Sequence, residues 1–217
     1  EVRWEGDSLT LAEGLPPVRW SIPLTNGKFG YLAMDTGGGY LWSQNARLFR
    51  VTPWSNDPWG RTGPEELAVV LDGKEVSLFA RQDEYPCTLT FGPGFLRWEK
   101  DFGGQIRSRV TAFVPEKRNE RIFLLELENF PTQAKLVWRM QPQMGEFVTQ
   151  GLWARAEESE GKVWLKNPVT ERSGICLSAS APWQEVVLPQ GRCRQVEFTF
   201  SAQCAATGLV LQAGEPC

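Results

Sequence analysis

Between Thr52 and Trp59 the chain places Thr52, Pro53, Trp54, Ser55, Asn56, Asp57, Pro58 and Trp59 in succession. Indole faces beside amide and carboxylate groups suit a sugar, because C–H faces stack on the ring and hydroxyls bond to Asn and Asp. Two prolines stiffen the segment, so its side chains are presented at little ordering cost. The same residues also suit a structural part, with Trp54 and Trp59 plugging the fold while Asn56 and Asp57 close a turn. Just upstream, Gly37-Gly38-Gly39 permits close backbone approach or tight turning ahead of a strand-like stretch.

Carboxylates gather at Glu65-Glu66, at Asp83-Glu84, and at Glu157-Glu158 with Glu160. A glycosidase needs two carboxyls about 5–9 Å apart across a cleft. Neighbours on a strand point to opposite faces, so none of these clusters makes that pair by itself. Each reads as a solvated turn. The chain has no histidine. That excludes Ser-His-Asp and Cys-His nucleophiles, and with them histidine-ligated zinc and non-haem iron. No catalytic residue, metal or cofactor is expected. Carboxylate chemistry, aromatic recognition of ligands, or no catalysis remain.

The net charge is −3 and neither sign runs in blocks, so nucleic acid is not an expected partner. No apolar stretch approaches the roughly 18 residues of a membrane span, and there is no signal-peptide layout. Five cysteines, Cys87, Cys176, Cys193, Cys204 and Cys217, are odd in number and never form a Cys-x-x-Cys pair. They read as free thiols of a cytoplasmic protein. The chain begins at Glu1 and stops after the turn signal Ala213-Gly214, so a piece of a longer protein is expected.

The elements that would position these residues are strands. Gly and Pro leave few windows for a helix, and the free windows alternate. Ile106, Ser108, Val110 and Ala112 share one face of a strand, Leu136, Trp138 and Met140 a face of another, and Val196, Phe198 and Phe200 a third. Trp138 is therefore expected in the core, while Trp98 and Trp164 suit either a core or a binding face. The run Arg121–Leu127 is apolar on both faces, as expected of a strand buried mid-sandwich. Asp72-Gly73, Asn26-Gly27 and Gly161 mark hairpins. About a dozen strands and no helix are expected over residues 1–217, in a single domain: one large antiparallel β-sandwich.

The segment from Asn26 to Asp57 resembles the N-terminal β-sandwich domain of glycoside hydrolase family 94, formerly glycosyltransferase family 36. The resemblance lies in Asn26-Gly27-Lys28-Phe29-Gly30, Gly38-Gly39-Tyr40-Leu41-Trp42, Asn45-Ala46-Arg47, and the specific run Val51-Thr52-Pro53-Trp54-Ser55-Asn56-Asp57-Pro58. Cellobiose phosphorylases and the C-terminal part of cyclic β-1,2-glucan synthases belong to that family. The resemblance implies an all-β supersandwich of the galactose-mutarotase-like kind. It also implies a following helical catalytic barrel, absent from this chain, where an Asp protonates the glycosidic oxygen while phosphate attacks.

On that resemblance the sandwich is non-catalytic. It supports the barrel, takes part in homodimer contacts and lends a loop to the cleft that holds a β-glucan or disaccharide. Trp42, Asn45, Arg47, Thr52, Trp54, Asn56, Asp57 and Trp59 become the candidates for carbohydrate binding or the domain interface. Two alternatives stand beside this. One is a free-standing carbohydrate-binding module with a Trp-lined site. The other is a complete carboxylate-dependent enzyme on a mutarotase-like sandwich. An apolar patch facing the missing barrel is also expected.

Overall fold

The computed structural model describes residues 2–12, 16, 18–54, 63–145, 155–166, 174–188, 195–201 and 206–214. Among these residues there are eighteen strands and no helix. The first seven are β1 (Val2–Glu5), β2 (Ser8–Leu11), β3 (Ser21–Thr25), β4 (Phe29–Met34), β5 (Gly39–Ser43), β6 (Glu65–Leu71) and β7 (Lys74–Ser77). Then come β8 (Cys87–Gly92), β9 (Phe95–Asp101), β10 (Arg107–Phe113), β11 (Glu120–Glu128) and β12 (Lys135–Met140). The last are β13 (Arg155–Ser159), β14 (Lys162–Lys166), β15 (Gly174–Ala179), β16 (Glu185–Val187), β17 (Val196–Phe200) and β18 (Ala206–Gly214).

They form three sheets, antiparallel throughout. A ten-stranded sheet runs β1-β2-β8-β9-β10-β11-β18-β15-β14-β13, a five-stranded one β16-β17-β12-β6-β7, and a small one β3-β4-β5. The all-β supersandwich expected from the sequence is the observed fold. Alternation sets the register as expected: Ser108, Val110 and Ala112 of β10 are buried while Arg107 and Arg109 are exposed. Leu136, Trp138 and Met140 of β12 pair across with Phe200, Phe198 and Val196 of β17, all buried. Two-residue turns close four of the hairpins, and two of these stand where the sequence marks a turn. Asp72 (φ 50°) and Gly73 (φ 77°) join Leu71 to Lys74, and Glu160 (φ 52°) and Gly161 (φ 68°) join Ser159 to Lys162.

One apolar core lies between the sheets. Phe79 packs edge-on to Trp98 at 5.0 Å and against Phe123 at 5.8 Å. Tyr31 of the small sheet reaches Phe123 at 6.3 Å, and Trp138 stacks on Phe198 at 5.0 Å. Each fully buried Phe contributes about 1.5–3 kcal/mol relative to exposure. The Trp98 indole N–H is not wasted in this core, since it donates to the Asp35 carbonyl at 2.6 Å. Trp98 is thereby settled as a core residue, and Trp183 packs on Phe198 at 5.1 Å.

Three expectations are corrected. The strand number exceeds a dozen because pieces as short as Glu185–Val187 carry no readable alternation. Strand β11 is central in its sheet but not buried on both faces: Phe123 and Leu125 are fully buried, whereas Leu124 is 44% exposed. Its outer face carries a charged ladder across β9, β10 and β11, where Arg109 of β10 joins Glu99 of β9 at 2.8 Å and Glu126 of β11 at 3.4 Å. The third correction concerns the acidic clusters. Glu157, Glu158 and Glu160 are exposed, and Asp83-Glu84 lies in an exposed bend as expected, but Glu65-Glu66 is not a solvated turn, since both residues belong to β6 and Glu65 is buried.

Glu65 is 2% exposed and pairs with the fully buried guanidinium of Arg121. It also accepts the Trp138 indole N–H at 2.7 Å. Glu66, on the opposite face of β6, accepts from Ser77 and Arg81. Asp83 accepts at 2.6 Å from Lys100, whose ammonium is buried and also donates to the carbonyls of Ser77 and Phe79. The reason is electrostatic: a buried cation is tolerated only with a carboxylate beside it. Cys87 and Cys176 are buried, and burial pushes the Cys87 thiol up to about 12. Cys193, Cys204, Cys217 and Trp153 lie outside the described residues.

Candidate functional site

The candidate site grows from the β4–β5 hairpin. Asn26 opens it: its Oδ1 accepts the backbone N–H groups of Lys28 and Phe29, and its Nδ2 donates to the Pro115 and Arg118 carbonyls, both at 2.8 Å. A single amide thus makes the turn and ties it to a distant loop. Phe29 is fully buried, and Gly30 pairs with Trp42 across the ladder. A Cβ on Gly30 would overlap the Trp42 ring, so glycine here lets the indole lie across the neighbouring strand.

The glycine run turns the chain into β5. Gly37 (φ 74°) and Gly38 (φ 63°) hold a conformation that side chains disfavour. A Cβ on Gly37 would also overlap Phe79, and one on Gly38 would sit 3.0 Å from the Glu65 carbonyl oxygen. The Tyr31 hydroxyl donates to the Gly38 carbonyl at 2.6 Å. Thr52 finishes the clamp. Fully buried, its hydroxyl donates to the Gly39 carbonyl at 2.8 Å and accepts from the Leu41 N–H at 2.9 Å. Thr52 therefore holds the platform from inside and presents nothing to solvent.

Outside this base sit the aromatic side chains. Tyr40 and Trp42, two residues apart on one strand face, stack at 5.4 Å with planes 30° apart. Trp54 meets Tyr40 edge-on at 5.2 Å and is 38% exposed. The Arg50 guanidinium lies 6.0 Å from the Tyr40 ring centre. Burial raises the Tyr40 pKa, with Arg50 pulling partly against it. The intervening turn is closed by Asn45, whose Oδ1 accepts from the N–H groups of Arg47 and Leu48, both at 2.9 Å. Arg47 is exposed on this turn, beside Leu48 (49% exposed) and Phe49 (43% exposed). Segment 141–145 braces the far side, with the Gln143 N–H bonded to the Val51 carbonyl at 2.9 Å and the Gly145 N–H to that of Arg50 at 3.1 Å.

The structure thus brings Trp42, Thr52 and Trp54 together and places Asn45 and Arg47 on the adjoining turn. Asn56, Asp57 and Trp59 lie outside the described residues. Tyr40, Arg50, Leu48 and Phe49 were missed as candidates. The spacing in Gly-Gly-Tyr-x-Trp held the signal for Tyr40, because residues two apart on a strand share a face. This arrangement can pack an apolar or sugar face and offer cationic groups at its rim, and among the described residues it holds no nucleophile or free acid. Among the described residues no group of three or more Cys, Asp or Glu is placed to hold a metal ion. Glu99 and Glu126 face each other only through Arg109, which holds both.

Comparison with known proteins agrees with the fold. No curated protein matches. A solved structure described as "Putative kojibiose phosphorylase from human microbiome" superposes with a TM-score of 0.59 at 12% identity, covering 98% of this chain and 33% of its own. A bacterial glucoamylase complexed with acarbose gives the same TM-score and identity, covering 97% of this chain and 36% of its own. At such identity these likenesses show the fold alone, and the chain spans about a third of the length of either structure. The glycosyl hydrolase 94 supersandwich domain matches residues 12–137, which include the whole hairpin and the aromatic platform. With more than half its length so matched, the chain belongs to the glycosyl hydrolase 94 supersandwich family.

Proposed function

We propose that this domain is a non-catalytic support for the helical catalytic barrel of a glycoside phosphorylase or β-glucan synthase-like protein. Its Trp54 loop packs on the barrel and walls the cleft that takes a disaccharide or β-glucan. The observation that carries this reading is the exposure of Leu48, Phe49 and Trp54 on the segment that flanks the braced base of Tyr40, Trp42 and buried Thr52. Large apolar side chains gathered on a braced surface mark an interaction face. Among the described residues of the family string, the polar atoms of Asn26, Asn45 and Thr52 are spent on building that base. The greater length of the two similar structures also supports a domain that works within a larger protein. The same face is the candidate for homodimer contacts.

A free-standing binding module is the second reading, and the Tyr40–Trp42–Trp54 group favours it in kind. Ring planes inclined by 30° and 63° form a notch rather than a flat sugar platform. The test is the double variant F49S/W54A in the product of the whole gene. Docking predicts that the single cooperative unfolding transition splits in two and that phosphate-dependent cleavage falls at least tenfold. A variant with unchanged unfolding and unchanged turnover refutes it.

A further inference from the structure

At one edge of the ten-stranded sheet the β1–β2 hairpin, the start of β3 and the turn after β8 enclose an open cleft of about 570 Å³. It falls within the roughly 300–1,000 Å³ range of small-molecule sites. Trp4, Leu9, Trp20 and Phe91 line it, with Asp7 and Ser21. Trp4 is 71% exposed, and every residue of β1 is exposed, so core packing does not account for this indole. Trp20 is the rigid part. Its ring packs on Phe91 at 6.0 Å, its backbone N–H donates to the buried Asp35 carboxylate at 3.1 Å, and its carbonyl accepts the Asp35 backbone N–H at 2.9 Å.

We propose that this cleft is a carbohydrate site in its own right, taking a neutral hexopyranoside against the Trp4 and Trp20 indoles with its hydroxyls bonded to Asp7 and Ser21. The chemistry selects the ligand. A purely apolar segment would cover the Asp7 carboxylate without pairing it, at a desolvation cost. A sugar ring instead offers C–H faces to the indoles and hydroxyl donors to a carboxylate. The cleft shares no residue with the Trp54 loop, so it stands or falls independently of the barrel-docking reading.

The test is isothermal titration of the 217-residue chain with maltotriose, cellotriose and a β-1,2-linked glucotriose, each at millimolar concentration. At least one should bind saturably. Trp4→Ala should weaken that binding about tenfold, the weight of one aromatic contact. Asp7→Asn should weaken it several-fold, and Leu124→Ala on the outer sheet face should leave it unchanged. Because Trp4 is exposed, the W4A midpoint of thermal unfolding should match that of the parent chain, separating loss of contact from loss of fold. No saturable binding by any of the three, binding indifferent to both W4A and D7N, or binding lost only in W54A would each overturn the proposal.

Discussion

Glu65→Gln should be the most damaging isosteric change in this domain. The substitution keeps the shape and leaves an acceptor for the Trp138 indole, but it removes the charge that faces Arg121. Arg121 is fully buried and cannot shed its proton, and its Nε and Nη1 have no hydrogen-bond partner among the described residues. Aromatic faces offset part of the loss: the guanidinium sits 3.6 Å from the Phe123 ring centre, 5.7 Å from that of Tyr31 and 5.9 Å from that of Trp138. Orphaning one member of a buried pair costs about 3–5 kcal/mol, and the ring contacts set the lower end, about 3 kcal/mol. For a chain of this size that lowers Tm by roughly 6–12 °C.

Arg121→Met should cost less, because the orphan left behind can neutralise itself. Burial already raises the Glu65 pKa against the pull of Arg121 and the Trp138 N–H, and removing Arg121 raises it further. A carboxyl whose folded pKa lies above its unfolded value binds more protons folded than unfolded. Its contribution is therefore full below the unfolded pKa and is lost as pH rises through the folded one. R121M should accordingly be least penalised in acid, and the double variant E65Q/R121M should cost much less than the sum of the singles. Urea unfolding followed by circular dichroism reads all three. An R121M penalty larger than that of E65Q, or an additive double, would refute the reasoning.

Thr52→Val keeps the volume but orphans the Gly39 carbonyl and the Leu41 N–H. It should cost about 2 kcal/mol and speed amide exchange at Leu41. Gly30→Ala should displace the Trp42 ring at a cost of about 1–3 kcal/mol, visible as a change in near-ultraviolet circular dichroism. Glu75 has its pKa lowered chiefly by its hydrogen bonds from Arg139, so its stabilisation is present above the unfolded value and lost as pH falls through the folded one. E75Q should therefore be less stable than the parent at neutral pH and equal to it in acid. With the carboxylate 41% exposed, the difference should stay below about 1 kcal/mol, and thermal midpoints across that pH range measure it.

What the sequence revealed follows from what is local. The alternation in Ile106–Ala112 and Leu136–Met140 gave buried faces directly, and Asp72-Gly73 marked a hairpin where the turn is found. The string around Gly30, Tyr40 and Thr52 was legible as a family mark because each residue answers a local steric or hydrogen-bonding demand. What stayed hidden depends on partners far along the chain. Glu65 reads as one of a pair of surface acids until Arg121, 56 residues away, is seen beside it. Lys100 and Asp83 repeat the lesson. Leu124 misled for the opposite reason, since an apolar residue on a strand does not by itself reveal whether a second layer covers it.

The most direct measurement of the proposed role is titration of this chain into the helical barrel that the proposal places in the same gene, expressed separately. The account predicts saturable one-to-one binding that weakens at least tenfold in F49S/W54A. No binding to the barrel, together with saturable binding of free glucans at the Trp54 loop, would contradict it and make the domain a carbohydrate-binding module.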